Sequence, residues 1–391
     1  MHGRRERAGG IAACALLVGS IAAQTTKPPK APPAVDPYTR GEALALTRAG
    51  YSSFGPLRFG PSTTDVVQQH LGDVPILWVE TTHFRLGSCL DEYRAPRADE
   101  RYNVQDDSSE RRAELTALAE ALERVPVKTK ELDPWLRLHL YAQRLERLYA
   151  DFGERLALGT RTRAGLTVPV PAMAEKLLVL ITQKKSTLAR FTSEYCGVER
   201  GDSMLHFFPE QKALFFGISD ESLALGDAEL YYAVVYGVTQ NLACALGGYP
   251  HNLPAWWGNG LALWFARAVR PRVMLYARPA SDLLPPDELA DWEPLVRGRV
   301  AGGTYLTWSD MLGRPSWLEQ PFGDNLVLWS RIDYLLRREG LAGALTAQMH
   351  LPVSQVPDGA KALHAATGMD LDALDRAWSE WVLDTYRKKR K

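Results

Sequence analysis

Cysteine is scarce in this 391-residue chain: four in all, with no C-x-x-C pair. That removes the usual cysteine zinc site. The eight histidines, His2, His70, His83, His139, His206, His251, His350 and His364, include no two spaced i,i+4. No helix can therefore offer two imidazoles on one face to a single ion. G-x-S-x-G, the P-loop and G-x-G-x-x-G are all missing, so serine hydrolase, NTPase and dinucleotide-binding classes lack their signals. There is no excess of either charge, with 46 Lys plus Arg against 46 Asp plus Glu. Nothing global steers the chain toward nucleic acid or an anionic membrane. The apolar run at 11–23 has thirteen residues, short of the roughly twenty that span a bilayer.

What is there begins with an export signal. Arg4, Arg5 and Arg7 form a positive n-region before that apolar run, and Ser20, Ala22 and Ala23 offer small residues for cleavage. The expectation is a signal peptide over 1–23 and a secreted or periplasmic protein without a transmembrane helix in the mature chain. Cys14 follows Ile11-Ala12-Ala13 like an acylation box, but no apolar stretch precedes it, which argues against lipoprotein anchoring. Residues 24–37 are a Pro-rich, extended linker. The mature chain keeps Cys89, Cys196 and Cys244. Export permits disulfides; Cys89 and Cys196 fall near the ends of expected strands and are the candidates for a bridge. Cys244 falls on a buried helix face, where a thiol acts as a small hydrophobe. The basic end, 387–391, reads as a solvated tail.

Between these ends, 38–75 shows no steady period and reads as an irregular lead-in. Residues 76–85 are β-branched and aromatic, as in a strand. Helices are expected over 110–124 and from Asp133-Pro134 onward, where a capping residue precedes a first-turn proline. The second carries Leu138, Tyr141, Leu145, Leu148 and Phe152 at helical spacing. Residues 176–182 are continuously apolar, as in a strand covered on both faces. A short helix at 186–195 leads to a hairpin of 203–208 with 213–218. Leu230, Val234, Val238, Leu242 and Leu246 form one stripe of a helix over 231–246, ended by Gly247-Gly248. Helices dominate after 268, among them 325–338 and 371–386.

The segment Pro254-Ala255-Trp256-Trp257-Gly258-Asn259-Gly260-Leu261-Ala262-Leu263-Trp264-Phe265 resembles the P-x-W-x-x-E-G-L-A helix that carries the third metal ligand of gluzincin-type (peptidase MA-like) zinc metallopeptidases. In that family H-E-x-x-H lies upstream, with eighteen residues between its second histidine and the glutamate. The same interval back from Asn259 reaches Gln240, so Tyr236-Gly237-Val238-Thr239-Gln240 stands where H-E-x-x-H would. Zinc is implied for the family, but a phenol and two neutral amides replace its ligands, and Gly237 replaces the general base. The resemblance thus implies a degenerate member with no catalytic residue, no metal and no cofactor. It further implies a hydrogen-bonded cluster of Tyr236, Gln240 and Asn259 in a residual cleft. His206, His251, Trp256 and Trp257 join Gly237 and those three as binding candidates, and an extended peptide or envelope polymer is the implied partner.

The expected fold is α+β: a small mixed sheet with an edge hairpin packed on helices over 76–268, in gluzincin (thermolysin-like) architecture. A helical C-terminal subdomain with the basic tail follows over 269–391. The function expected is that of an inactive pseudo-peptidase with a binding or structural role at the cell envelope. The alternative is an active hydrolase with a relocated centre at His206 or His251, assisted by a carboxylate such as Glu210. A third option is an envelope scaffold whose own side chains fill the cleft.

Overall fold

The computed structural model describes residues 32–94, 108–173, 175–224, 226–247, 253–273, 291–314, 320–350 and 359–387, all within the unit Pro32–Lys391. It is a mixed α+β fold built on a five-stranded sheet. Strands β3 (Leu77–Glu80) and β4 (Phe84–Cys89) pair antiparallel; β7 (Leu177–Thr182) runs parallel to β4. Next comes β9 (Ala213–Ser219), parallel to β7, and β8 (Ser203–Phe208) pairs antiparallel with β9 at the edge, giving the order β3-β4-β7-β9-β8. The run Leu-Leu-Val-Leu-Ile-Thr is buried throughout β7, as its lack of polar alternation requires.

Alternation along these strands feeds two cores. Val79, Phe84, Leu86, Val179, Ile181, Leu214 and Phe216 face one side, where they join the large core with α4 (Pro134–Arg155) and α6 (Asp227–Ala245). Trp78, Leu178, Leu180, Phe208 and Phe215 face the other, against α2 (Thr64–His70) and α5 (Lys185–Cys196). The large core continues through α7 (Ala255–Val269) and α8 (Trp292–Ala301) to α9 (Trp308–Leu312), α10 (Phe322–Leu336) and α11 (Leu341–Met349). It ends at α12 (Gly359–Thr367) and α13 (Leu371–Thr385), so apolar packing runs unbroken from the sheet to the last helix. No helix among the described residues is long and apolar enough to cross a membrane.

Helix α4 begins where its sequence says. Asp133 Oδ1 accepts from the Leu136 amide at 3.0 Å, and Pro134 occupies the first turn. Asp133 also accepts from the Tyr38 hydroxyl, while His139 Nε2 meets Asp36 Oδ1 at 3.1 Å. These contacts fasten the segment before α1 (Ala43–Arg48) onto α4.

The structure corrects two expectations. The stretch 38–75 is ordered rather than irregular: it holds α1, the ribbon of β1 (Arg58–Phe59) and β2 (Ser62–Thr63), and α2. Its elements are too short for periodicity to accumulate, yet Phe59 and Val67 are fully buried in the second core. The single strand over 76–85 is in fact the β3–β4 turn with parts of both strands. Thr81 Oγ1 accepts from the Phe84 amide at 3.1 Å, and Glu146 of α4 accepts from the His83 amide at 2.9 Å. A turn made from strand-forming residues and held by a distant helix leaves no local mark.

One side chain in the helical half is unusual. Arg331 of α10 is fully buried, with its guanidinium 4.5 Å from the ring centroids of both Trp308 and Trp378. It donates to Asp375 of α13 and to the Leu306 carbonyl. Burial lowers its pKa to about 10 against the pull of Asp375, so it remains a cation at neutral pH.

Candidate functional site

Helix α6 is apolar nearly all round because it is enclosed, with the sheet on one side and α7 on another. Of its buried residues, Leu230, Val234, Val238 and Leu242 form the stripe seen in sequence. Helix α7 crosses it from Pro254 at its N-cap. Tyr236 and Gln240, one turn apart on α6, both reach Asn259 on α7. Asn259 Oδ1 accepts from the Tyr236 hydroxyl at 2.8 Å and from Gln240 Nε2 at 3.0 Å. Asn259 Nδ2 donates to the Ala255 carbonyl at 2.9 Å. Both lone pairs of one oxygen are thereby filled.

No protein-family model matches the chain, and no curated protein matches it. The character of the α6–α7 pair rests on its own residues.

Those residues do not fit a zinc ion. The three converging groups are a phenol and two primary amides, without the thiolate, imidazole or carboxylate that zinc takes. Among the described residues no three His, Cys, Asp or Glu side chains are grouped to hold a metal. Gly237 is closed off as well. A Cβ there would stand 2.2 Å from Cε2 of Phe216 on β9, so the ring fills the space a general base would need. What the cluster does chemically is tie two helices together without charge.

The other candidates are placed elsewhere. Trp256 and Trp257 are buried, at 2% and 0% exposure. Trp256 makes edge contacts with Trp257 and Trp308, each at 5.6 Å between centroids. They are core residues, not a binding surface: Trp308 of α9 and Gly359 at the start of α12 pack against Trp256, and Trp257 is fully enclosed. His206 pairs in register with Phe215, which faces the second core; cross-strand partners share a face of the sheet. Its ring lies 4.7 Å from that of Phe208, between centroids, and burial lowers its pKa. The sheet therefore separates His206 from Tyr236, Gln240 and Asn259. His251 lies outside the described residues.

The bridge between Cys89 and Cys196 is not formed; both are free thiols, as is Cys244. Cys196 ends a helix rather than a strand, and both thiols pack against the second core. Burial pushes Cys89 up to about 11 and Cys196 up to about 12, which keeps the unreactive neutral form. Alkylation of denatured, unreduced protein is expected to modify all three; protection of both Cys89 and Cys196 would restore the bridge.

Sequence reasoning missed the strongest polar assembly, at the start of α6. Asp227 accepts from Arg144 Nη1 at 3.1 Å, Tyr141 Oη at 2.9 Å and Arg137 Nη2 at 3.3 Å. Arg144 also grips Glu114 of α3 (Ser108–Ala121), with Nη2 to Oε2 at 2.8 Å, and Arg147 reaches the same carboxylate at 2.9 Å. Burial raises the Asp227 carboxyl, but Arg144, Arg137 and the Tyr141 hydroxyl outweigh it and hold the pKa at about 2. Burial likewise opposes Arg144 and Arg147 at Glu114, whose pKa is lowered. The signal was available: Arg137 and Arg144 stand seven apart on the buried side of α4, a position where unpaired cations are not tolerated.

Proposed function

We propose that this chain is a degenerate gluzincin-type protein, exported and catalytically silent, with a structural role at the cell envelope. The observation that carries the reading is the convergence of Tyr236 and Gln240 on one oxygen of Asn259. Those are the three positions where the family resemblance would put metal ligands, and they meet at one point as ligands must. Uncharged hydrogen bonds stand there in place of ion coordination, and Phe216 occupies the place of the base.

The structural role is favoured over polymer binding because Trp256 and Trp257, the aromatic candidates for a groove, are packed inside the protein. The relocated hydrolase centre loses support at His206, which lies across the sheet from the cluster.

The test is a variant carrying Tyr236→His, Gln240→His and Asn259→Glu, with Gly237 left alone. It is expected to bind one zinc ion per chain by elemental analysis. Zinc at a hundred times its Kd should then raise stability by about 2.7 kcal/mol. A folded variant that takes up no zinc would remove the gluzincin placement. Stoichiometric zinc or peptide hydrolysis in the unaltered protein would remove the silent reading.

A further inference from the structure

The five-stranded sheet covers one of its edges and leaves the other open. At β3, Ser52 N donates to Glu80 O at 2.8 Å and Glu80 N donates to Ser53 O at 2.7 Å, so the chain after α1 guards that edge. At the opposite end β8 pairs with β9 alone, and no described strand lies on its outer side. Backbone groups on such a side are a template for another strand.

Proteins blunt an open edge with lysine, proline, a bulge or extreme shortness. Strand β8 has none of these. It reads Ser-Met-Leu-His-Phe-Phe over 6 residues. Its register with β9 runs unbroken from Ser203–Ile218 to Phe208–Ala213. Leu205, opposite Phe216 on the large-core face, is 41% exposed.

The charges at the two ends of this edge select its partner. Two copies of β8 related by a two-fold axis normal to the sheet run antiparallel and keep each face continuous. Centring the axis on Leu205 sets Leu205 against itself, Met204 against His206 and Ser203 against Phe207 of the second copy. Just past the strand ends it brings Arg200 toward Glu210 of the second copy, and symmetry repeats the pair. Arg200 and Glu210 are both exposed and form no ion pair among the described residues. Centring on His206 instead opposes Arg200 with Lys212, and like charges set opposite each other destabilise. The edge is therefore self-complementary in the Leu205 register. We propose that the chain dimerises through β8, antiparallel about Leu205, joining two sheets into one.

A single strand pair buries less than the roughly 1,200 Å² of stable complexes, so the dimer is expected to be weak. Sedimentation velocity on the full chain from about 1 μM to about 1 mM should show monomer giving way to dimer. Leu205→Lys sets two ammonium groups face to face and should keep the protein monomeric across that range. Arg200→Glu should weaken dimerisation about fivefold, and adding Glu210→Arg should restore it. All three positions are exposed, so the variants should melt like the parent. A parent that stays monomeric, a Leu205→Lys variant that dimerises as the parent does, or no rescue by the charge swap would overturn the assignment.

Discussion

Replacing Asp227 with alanine is expected to cost about 3–5 kcal/mol of stability, measured by urea unfolding, because it strands buried cations. Arg137 and Arg144 are 2% and 3% exposed, and both give a hydrogen bond to this one carboxylate. Asp227→Asn keeps the shape and loses the charge, so its cost should fall between that of alanine and none. The same carboxyl imposes a pH dependence. Its folded pKa of about 2 lies below the ordinary aspartate value of 3.8. A depressed acid stabilises the fold above the unfolded pKa, and the gain disappears as pH falls from about 4 through 2. The shift corresponds to roughly 2 kcal/mol. Glu114, also lowered, adds in the same direction. Acid titration of Asp227→Ala should therefore show a shallower loss between pH 4 and pH 2 than the parent. Equal slopes would show that the carboxylate does not carry this effect.

Gly237→Glu is expected to prevent folding, and Gly237→Ala to destabilise by about 1–3 kcal/mol, the range for overpacking a tight core. On propensity alone alanine in a helix gains about 1 kcal/mol over glycine. Sterics reverse that sign here, since the first added carbon would sit 2.2 Å from the Phe216 ring. That ring is 2% exposed and held by the sheet, so it has nowhere to turn. Phe216→Ala alone should cost about 3–5 kcal/mol through the cavity it leaves. In the Phe216→Ala background, Gly237→Ala should become neutral or stabilising. A double-mutant cycle should give a coupling above about 1 kcal/mol; additive costs would mean the two positions do not touch. This is why ligand restoration leaves Gly237 untouched: two side chains, not one, separate the present helix from one bearing a base.

Long elements with a steady period were legible. The α4 stripe, the all-apolar β7, the β8–β9 hairpin and the α6 stripe each carry their structure in local pattern. The meeting of Gln240 with Asn259 was an implication of the gluzincin resemblance rather than of any local pattern, and the two side chains do meet. What stayed hidden depended on distant partners. Phe216 against Gly237 joins strand to helix, and Glu146 fixes a turn from another element. Trp256 and Trp257 read as surface candidates because nothing nearby shows that they are enclosed, Trp256 by α9 and α12. His206 was assigned to the wrong side because sheet face follows register, and register follows the partner strand. The Asp227 network joins α3, α4 and α6, three segments whose charges look solvated when each is read alone.

Arg331 carries one more implication. Its charge is tolerable inside because Trp308, Trp378, Asp375 and the Leu306 carbonyl surround it, and Trp378 and Asp375 belong to α13. A relative that shortened its tail would be left with an ion in oil. Arginine at 331 and aspartate at 375 should accordingly be kept, or lost, as a pair across descendants of the same ancestor.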